Sequence, residues 1–153
     1  MVELLQSLAS SLMISTYQVG RLLVVRANDG KLSMLNRSFD QLMGMTVDAR
    51  QMALGTRDQI WILRNAPDIA VQLDPPGKHD ACYLPRVSYV TGDVRVHEME
   101  FAGDDLWFVN TRFSCLATLD ENYSFIPRWR PPFVSAIAAE DRCHLNGMTI
   151  VDG

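Results

Sequence analysis

Apolar residues in this chain fall mostly in short runs bounded by turn formers, and only rarely at the three-and-four spacing of a helix. The runs "LMIST" (12–16), "RLLVVRA" (21–27), "KLSMLN" (31–36), "QIWILRN" (59–65) and "FSCLATLD" (113–120) are rich in β-branched and aromatic residues. They are too short for typical helices, so each predicts a strand. "NDG" (28–30) stands between the second run and the third and predicts a tight hairpin. Helical spacing occurs at residues 2–13, where Leu4, Leu5, Leu8 and Leu12 share a face and predict one short packing helix. "PPFVSAIAAEDR" (131–142) has room for a single turn. Residues 74–93 hold three prolines and two glycines and are expected to be a loop inserted between structural units.

The strand pattern repeats. Gly44–Asp58, "GMTVDARQMALGTRD", lies without a gap on Met99–Phe113, "MEFAGDDLWFVNTRF", and each copy ends an apolar strand in Thr-Arg. "LMIST" is a weaker third echo, and "GMTIVDG" (147–153) repeats the opening phrase a fourth time. The matching threonines Thr16, Thr56 and Thr111 are 40 and 55 residues apart. Units of about 40–50 residues with several short strands are the signature of propeller blades. An ordinary β-sandwich is the competing fold. The gapless Thr-Arg match and the recurring Gly-Met-Thr favour the propeller. The expected fold is therefore all-β: an incomplete β-propeller of about two full blades, partial blades at each end and one short N-terminal helix. Residues 1–153 would form a single partial domain, the front of a longer ring.

Composition narrows the partners. The chain has 153 residues, 48% of them hydrophobic, enough for a sizeable core. A net charge of −4 gives no basic footprint for nucleic acid. Glu3 and Gln6 interrupt the first residues, unlike a signal peptide, and no run approaches the roughly 18 apolar residues of a membrane span. Cys82, Cys115 and Cys143 are an odd, widely spaced set, which favours reduced thiols and a cytoplasmic location. Open blade edges would permit self-association.

Specific strings carry a resemblance. "LGTRDQIWILRNAP" (54–67), "LDPPGKHDACYLPR" (73–86), "LWFVNTRFSCLATLD" (106–120) and "PRWRPPFVSAIAAEDRCHLNGM" (127–148) resemble an uncharacterised bacterial family of conserved hypothetical proteins. The resemblance covers residues 15–153. It implies a propeller-like fold, members about twice this length and occasional attachment to tetratricopeptide repeats. It brings no activity. More distantly, the chain is similar to gluconolactonase-like propellers, which hold one calcium ion among acidic and Asn ligands on inner strands.

In a propeller the innermost strands face the central channel, and ligands collect where those strands begin. The repeat places Met43, Glu98 and Asn146 at corresponding positions. Glu98 and Asn146 suit a hard cation, Ca2+ by the gluconolactonase resemblance, although two oxygen donors fall short of the six to eight that calcium takes. Hydrogen bonding to nearby backbone is the competing role. His97 and His144 flank the same strand starts and are candidate general bases, with a structural role as the alternative. In "FIPRWRPPF" (125–133), Arg128, Trp129 and Arg130 could bind carboxylates or phosphates, or form an outer edge strand whose proline and charge discourage pairing. Arg112 is a further ligand-binding candidate, or an ion-pair partner of Asp105. Trp61 and Trp107 read as core aromatics. Two function classes follow: a module that binds a small molecule or protein, or a divalent-metal-dependent lactone or ester hydrolase.

Overall fold

The computed structural model describes residues 1–151. Among them are eleven strands and two short helices, and the strands form three small antiparallel sheets with no closed barrel. The protein is all-β, in keeping with the incomplete propeller-like architecture expected. It divides into two compact units, Met1–Met43 and the chain from Gly44 onward.

The first unit consists of α1 (Val2–Ser7), β1 (Leu12–Thr16), β2 (Arg21–Asn28) and β3 (Lys31–Ser38), with the strands in the order β1-β2-β3. The β2–β3 pair closes at Asn28↔Lys31 over Asp29 and Gly30, both at positive φ (47° and 75°). Two such residues in succession match the right-handed twist of the flanking strands. The helix is shorter than the 2–13 expected. The Ser7 and Ser10 hydroxyls donate to the Leu4 and Leu8 carbonyls, and Ala9 turns to φ 46°. Side-chain bonds of this kind draw carbonyls out of a helical ladder, and Leu12 then opens a strand.

The second unit holds two four-stranded meanders. One contains β4 (Met45–Val47), β5 (Gln51–Gly55), β6 (Gln59–Asn65) and β7 (Tyr83–Val90), with α2 (Pro67–Ala70) between the last two. The other contains β8 (Val96–Ala102), β9 (Asp105–Asn110), β10 (Cys115–Thr118) and β11 (Ile126–Trp129). Strand count and order are those of propeller blades. The proposed loop at 74–93 is only partly a loop, because Tyr83–Val90 pairs along β6. Pro85 is tolerated because β7 is an edge strand and its register shifts beside that residue. In "PPFVSAIAAEDR", Val134 N–H donates to the Pro131 carbonyl in a single turn.

The repeat holds at the β5–β6 and β9–β10 hairpins. Gly55↔Ile60 and Ala53↔Ile62 recur as Asn110↔Cys115 and Phe108↔Ala117, each 55 positions on. It does not hold at the preceding hairpins. Val47↔Met52 closes over four residues, whereas Ala102↔Asp105 closes over two. A β-bulge then places His97 and Glu98 together between the pairs Val96↔Asn110 and Met99↔Phe108. Met43 therefore has no place in β4 matching that of Glu98 in β8, and the gapless equivalence of the two is corrected.

The two meanders share one core. Ala53, Ile60 and Ile62 pack with Val96, Met99, Leu106, Phe108, Cys115 and Ala117, all buried. Burying a side chain of the size of Phe108 contributes about 1.5–3 kcal/mol. The inner strands meet closely: Gly44 N–H donates to the Val96 carbonyl at 3.0 Å. A Cβ on Gly55 would stand 2.8 Å from that of Val96. Trp61 and Trp107 are half-buried rather than central.

Candidate functional site: the start of strand β8

The start of β8 gathers most of the polar chemistry. The bulge lets Val96 and Met99, three residues apart, both enter the core, with His97 and Glu98 between them. The His97 ring lies edge-on to that of His144, with centroids 5.1 Å apart and planes at 74°. His144 Nδ1 bonds to Asp141 Oδ2 at 2.9 Å. Arg95 Nη1 donates to the same oxygen at 3.2 Å. The Asn146 side chain lies beside the His97 ring.

Residues 141–150 are held beside this strand by further bonds. Asp141 N–H donates to the Arg112 carbonyl, Thr111 Oγ1 to the Leu145 carbonyl, and Ile150 N–H to Glu100 Oε2 at 2.9 Å. Asn146 meets His97 and Ile150 meets Glu100, so the segment runs along β8 in the same sense. Innermost propeller strands would have that relation. No strand hydrogen bonding is assigned at residues 147–151, so the expected strand "GMTIVDG" is an extended flank instead, and Asp152 and Gly153 lie outside the described residues.

Three members of the cluster hold left-handed backbone: Arg95 at φ 52°, Asp141 at 49° and His144 at 45°. Such conformations cost side chains other than glycine free energy and persist only where surroundings enforce them. Electrostatics set the protonation. Burial pushes the His97 pKa below 6.5, and the neighbouring His144 pushes in the same direction. The hydrogen bond from His144 holds the Asp141 carboxyl below its usual range, with Arg95 adding to the effect and burial opposing it. His97 is thus neutral and Asp141 ionised near neutral pH. Asp141 Oδ1 is shielded from solvent without a hydrogen-bond partner, as are Asn110 Nδ2 and Ser114 Oγ in the adjoining β9–β10 turn.

The proposed site residues are divided by this geometry. His97, His144 and Asn146 come together. Glu98 occupies the bulge, where Oε1 accepts from the Met99 N–H at 3.3 Å. Among the described residues no three His, Cys, Asp or Glu side chains are grouped to hold a metal ion. Arg112 pairs with Asp93, not Asp105, and its carbonyl anchors Asp141. Arg128, Trp129 and Arg130 belong to or adjoin β11, the edge strand of the order β11-β10-β9-β8, three strands from the cluster. Arg128 Nε donates to Thr118 Oγ1 within that sheet. Asp141 and Arg95 were missed. The signal available was spacing: Asp141 precedes His144 by one turn, and Arg95 precedes His97 by two residues.

Cys115 is an inert core residue, its thiol pushed up to about 11 by burial. Cys82 and Cys143 are half-buried, and none of the three is in a disulfide. No helix among the described residues is long and apolar enough to cross a membrane.

The fold and the polar cluster define an all-β protein with a histidine–carboxylate site at the start of an inner strand. The chain belongs to the DUF4915 family, a domain of unknown function, whose model it matches over residues 1–153. No curated protein and no solved structure matches it.

Proposed function

We propose that the chain is a β-propeller segment whose β8 end binds a small molecule bearing an oxygen anion, such as a carboxylate. The observation that carries this is the network itself: Arg95, Asp141 and His144 are all held in left-handed backbone while their side chains converge on one carboxylate oxygen. Backbone strain concentrated in one polar network is a property of binding sites more than of structural turns. Arg95, with its guanidinium donors, and the two imidazoles supply the positive and hydrogen-bonding groups that carboxylate recognition uses.

The test is a histidine-ring NMR titration with a panel of small mono- and dicarboxylates. Saturable shifts at His97 and His144, lost in Asp141→Asn, are expected. A panel that moves neither ring would refute the reading.

A hydrolytic reading is favoured by one observation. Bonding of His144 Nδ1 to Asp141 leaves Nε2 available to take a proton, the arrangement by which a carboxylate orients a general base. In the metal-dependent form of that reading, Glu98 and Asn146 would hold calcium. Calorimetric calcium titration of the protein and of Glu98→Ala decides it, since equal heats from both would remove the metal.

A further inference from the structure

The three sheets differ in a respect that the polar cluster does not explain. Two have four strands, and the sheet β1-β2-β3 has three. Hairpin registers show which strand has no counterpart. Thr16↔Arg21 and Gly55↔Ile60 each close over four residues, so Thr16 stands where Gly55 does, one position from the threonine match. Strand β1 therefore corresponds to β5, and nothing in its sheet corresponds to β4.

Among the described residues the outer side of β1 is unpaired. The Gly20 N–H donates to the Tyr17 carbonyl, and alternation from that bond turns the backbone groups of Thr16, Ile14 and Leu12 away from β2. Leu12 and Ile14 are 41% and 38% exposed. The Ser15 hydroxyl, which donates to the Met43 carbonyl, leaves from a face of the sheet and not from its edge. Nor is this edge guarded. Free edges usually carry proline, charge or a bulge against pairing. Here β3 has Lys31 and Arg37, β7 has Pro85 and Arg86, and β11 has Pro127 and Arg128. Strand β8 has its bulge. Strand β1, Leu-Met-Ile-Ser-Thr, has none of these.

The same chain holds a segment that fits. Residues 147–151, Gly-Met-Thr-Ile-Val, repeat the Gly-Met-Thr-Val of 44–47, are uncharged and have no strand pairing. In the β4–β5 pair, the Gly44 carbonyl accepts from Gly55 N–H and the Asp48 N–H donates to the Gln51 carbonyl. Thr46, midway between, is thus the bonded partner of Ala53. Carried over to 147–151, this register sets Thr149 against Ile14, whose backbone faces outward. Ile150, like Val47, then turns its N–H to the opposite side, and that N–H does donate to Glu100 of β8. The segment keeps its place along β8 with one bonding side free, as β4 does where Gly44 bonds Val96.

We propose that β1 is the docking edge for residues 147–151 of a second copy of this chain. The segment adds a fourth antiparallel strand, with Thr149 opposite Ile14 and Ile150 opposite Met13. Main-chain bonds supply the affinity, as in other strand additions. Neither surface carries a charge, so pairing desolvates none.

Sedimentation of the whole chain from dilute to concentrated solution should show association, and amide exchange at Ile14 and Thr149 should slow in the concentrated sample. Thr149→Pro removes the central donor. It should weaken association about tenfold, the scale of one lost ladder bond with its carbonyl left unpaired, and leave the unfolding midpoint of dilute protein unchanged. Met13→Cys with Ile150→Cys, in a Cys82→Ser, Cys143→Ser background, should oxidise to a covalent dimer. A chain that is monomeric at every concentration, association undiminished by Thr149→Pro, or a disulfide formed within one chain would overturn the proposal.

Discussion

Replacement of Gly55 by Ala tests the packing of the two meanders against each other. Gly55 ends β5 where that strand crosses β8, and its N–H donates to the Gly44 carbonyl at 2.9 Å. A methyl there would lie 2.8 Å from Val96 Cβ, 2.9 Å from Val96 Cγ1 and 3.0 Å from Met99 Cε. Ordinary carbon contacts are about 3.5–4.0 Å, and Val96 and Met99 are themselves buried, so they have little room to retreat. Overpacking of this kind costs about 1–3 kcal/mol. The alanine recovers about 0.4–1 kcal/mol by restricting the unfolded chain. The net expectation is a loss of about 1–2 kcal/mol, or ~0.5–1 M in the urea midpoint at the usual slope for a small protein. Gly147→Ala is the control, because nothing lies within 4 Å of its added methyl, and its midpoint should hold or rise slightly. Val96→Ala in the Gly55→Ala background removes one of the clashing methyls, so the two losses should fall short of additivity by at least about 0.5 kcal/mol. A Gly55→Ala protein as stable as the Gly147→Ala control would mean that β5 and β8 are not packed together, and the shared core would fail with them.

Further outcomes are expected. Phe108→Ala should cost about 3–5 kcal/mol by equilibrium denaturation, since its ring is fully buried; a loss under about 1 kcal/mol would place Phe108 outside the core. The folded pKa of His97 lies below 6.5, so the unfolded chain binds the extra proton first. Its neutral form then supports folding above about pH 6.5, and that support declines as pH falls toward the folded pKa. His97→Gln should flatten this limb, and His144→Gln should raise the His97 pKa measured by NMR; an unmoved titration would break the ring contact. Cys115 should stay silent to a thiol reagent at mildly alkaline pH until urea unfolds the chain, and prompt labelling in the native state would contradict its burial.

Much of the strand layout was legible because local chemistry and tertiary structure agree there. Asp29-Gly30 demands a tight turn wherever it occurs, and the Thr-Arg repeat marks hairpins whose registers match to the residue. The helix limit was not legible, because Leu8 and Leu12 continue the helical spacing while serine hydroxyls and a left-handed Ala9 end it. Strand β7 was hidden by Pro85, which excludes a central strand but not an edge. At the site, His97 could be chosen from its place at the start of β8, and His144 from the repeated Gly-Met-Thr phrase that follows it. Asp141 could not, because its role depends on a turn anchored by the Arg112 carbonyl, a contact 29 positions back in the chain.

The bulge at His97–Glu98 also separates two properties that are usually entangled. Along an ordinary strand, facing alternates, so any residue added for chemistry displaces one used for packing. Here the extra residue changes the parity of β8: Val96 and Met99 keep their places in the core although an odd interval separates them, and two consecutive side chains are released from the packing pattern. Deleting either of the two would restore strict alternation and leave Val96 and Met99 on one face. The fold would keep its interior with one residue between the two, so the pair His97–Glu98 amounts to a one-residue insertion in the packing pattern of β8.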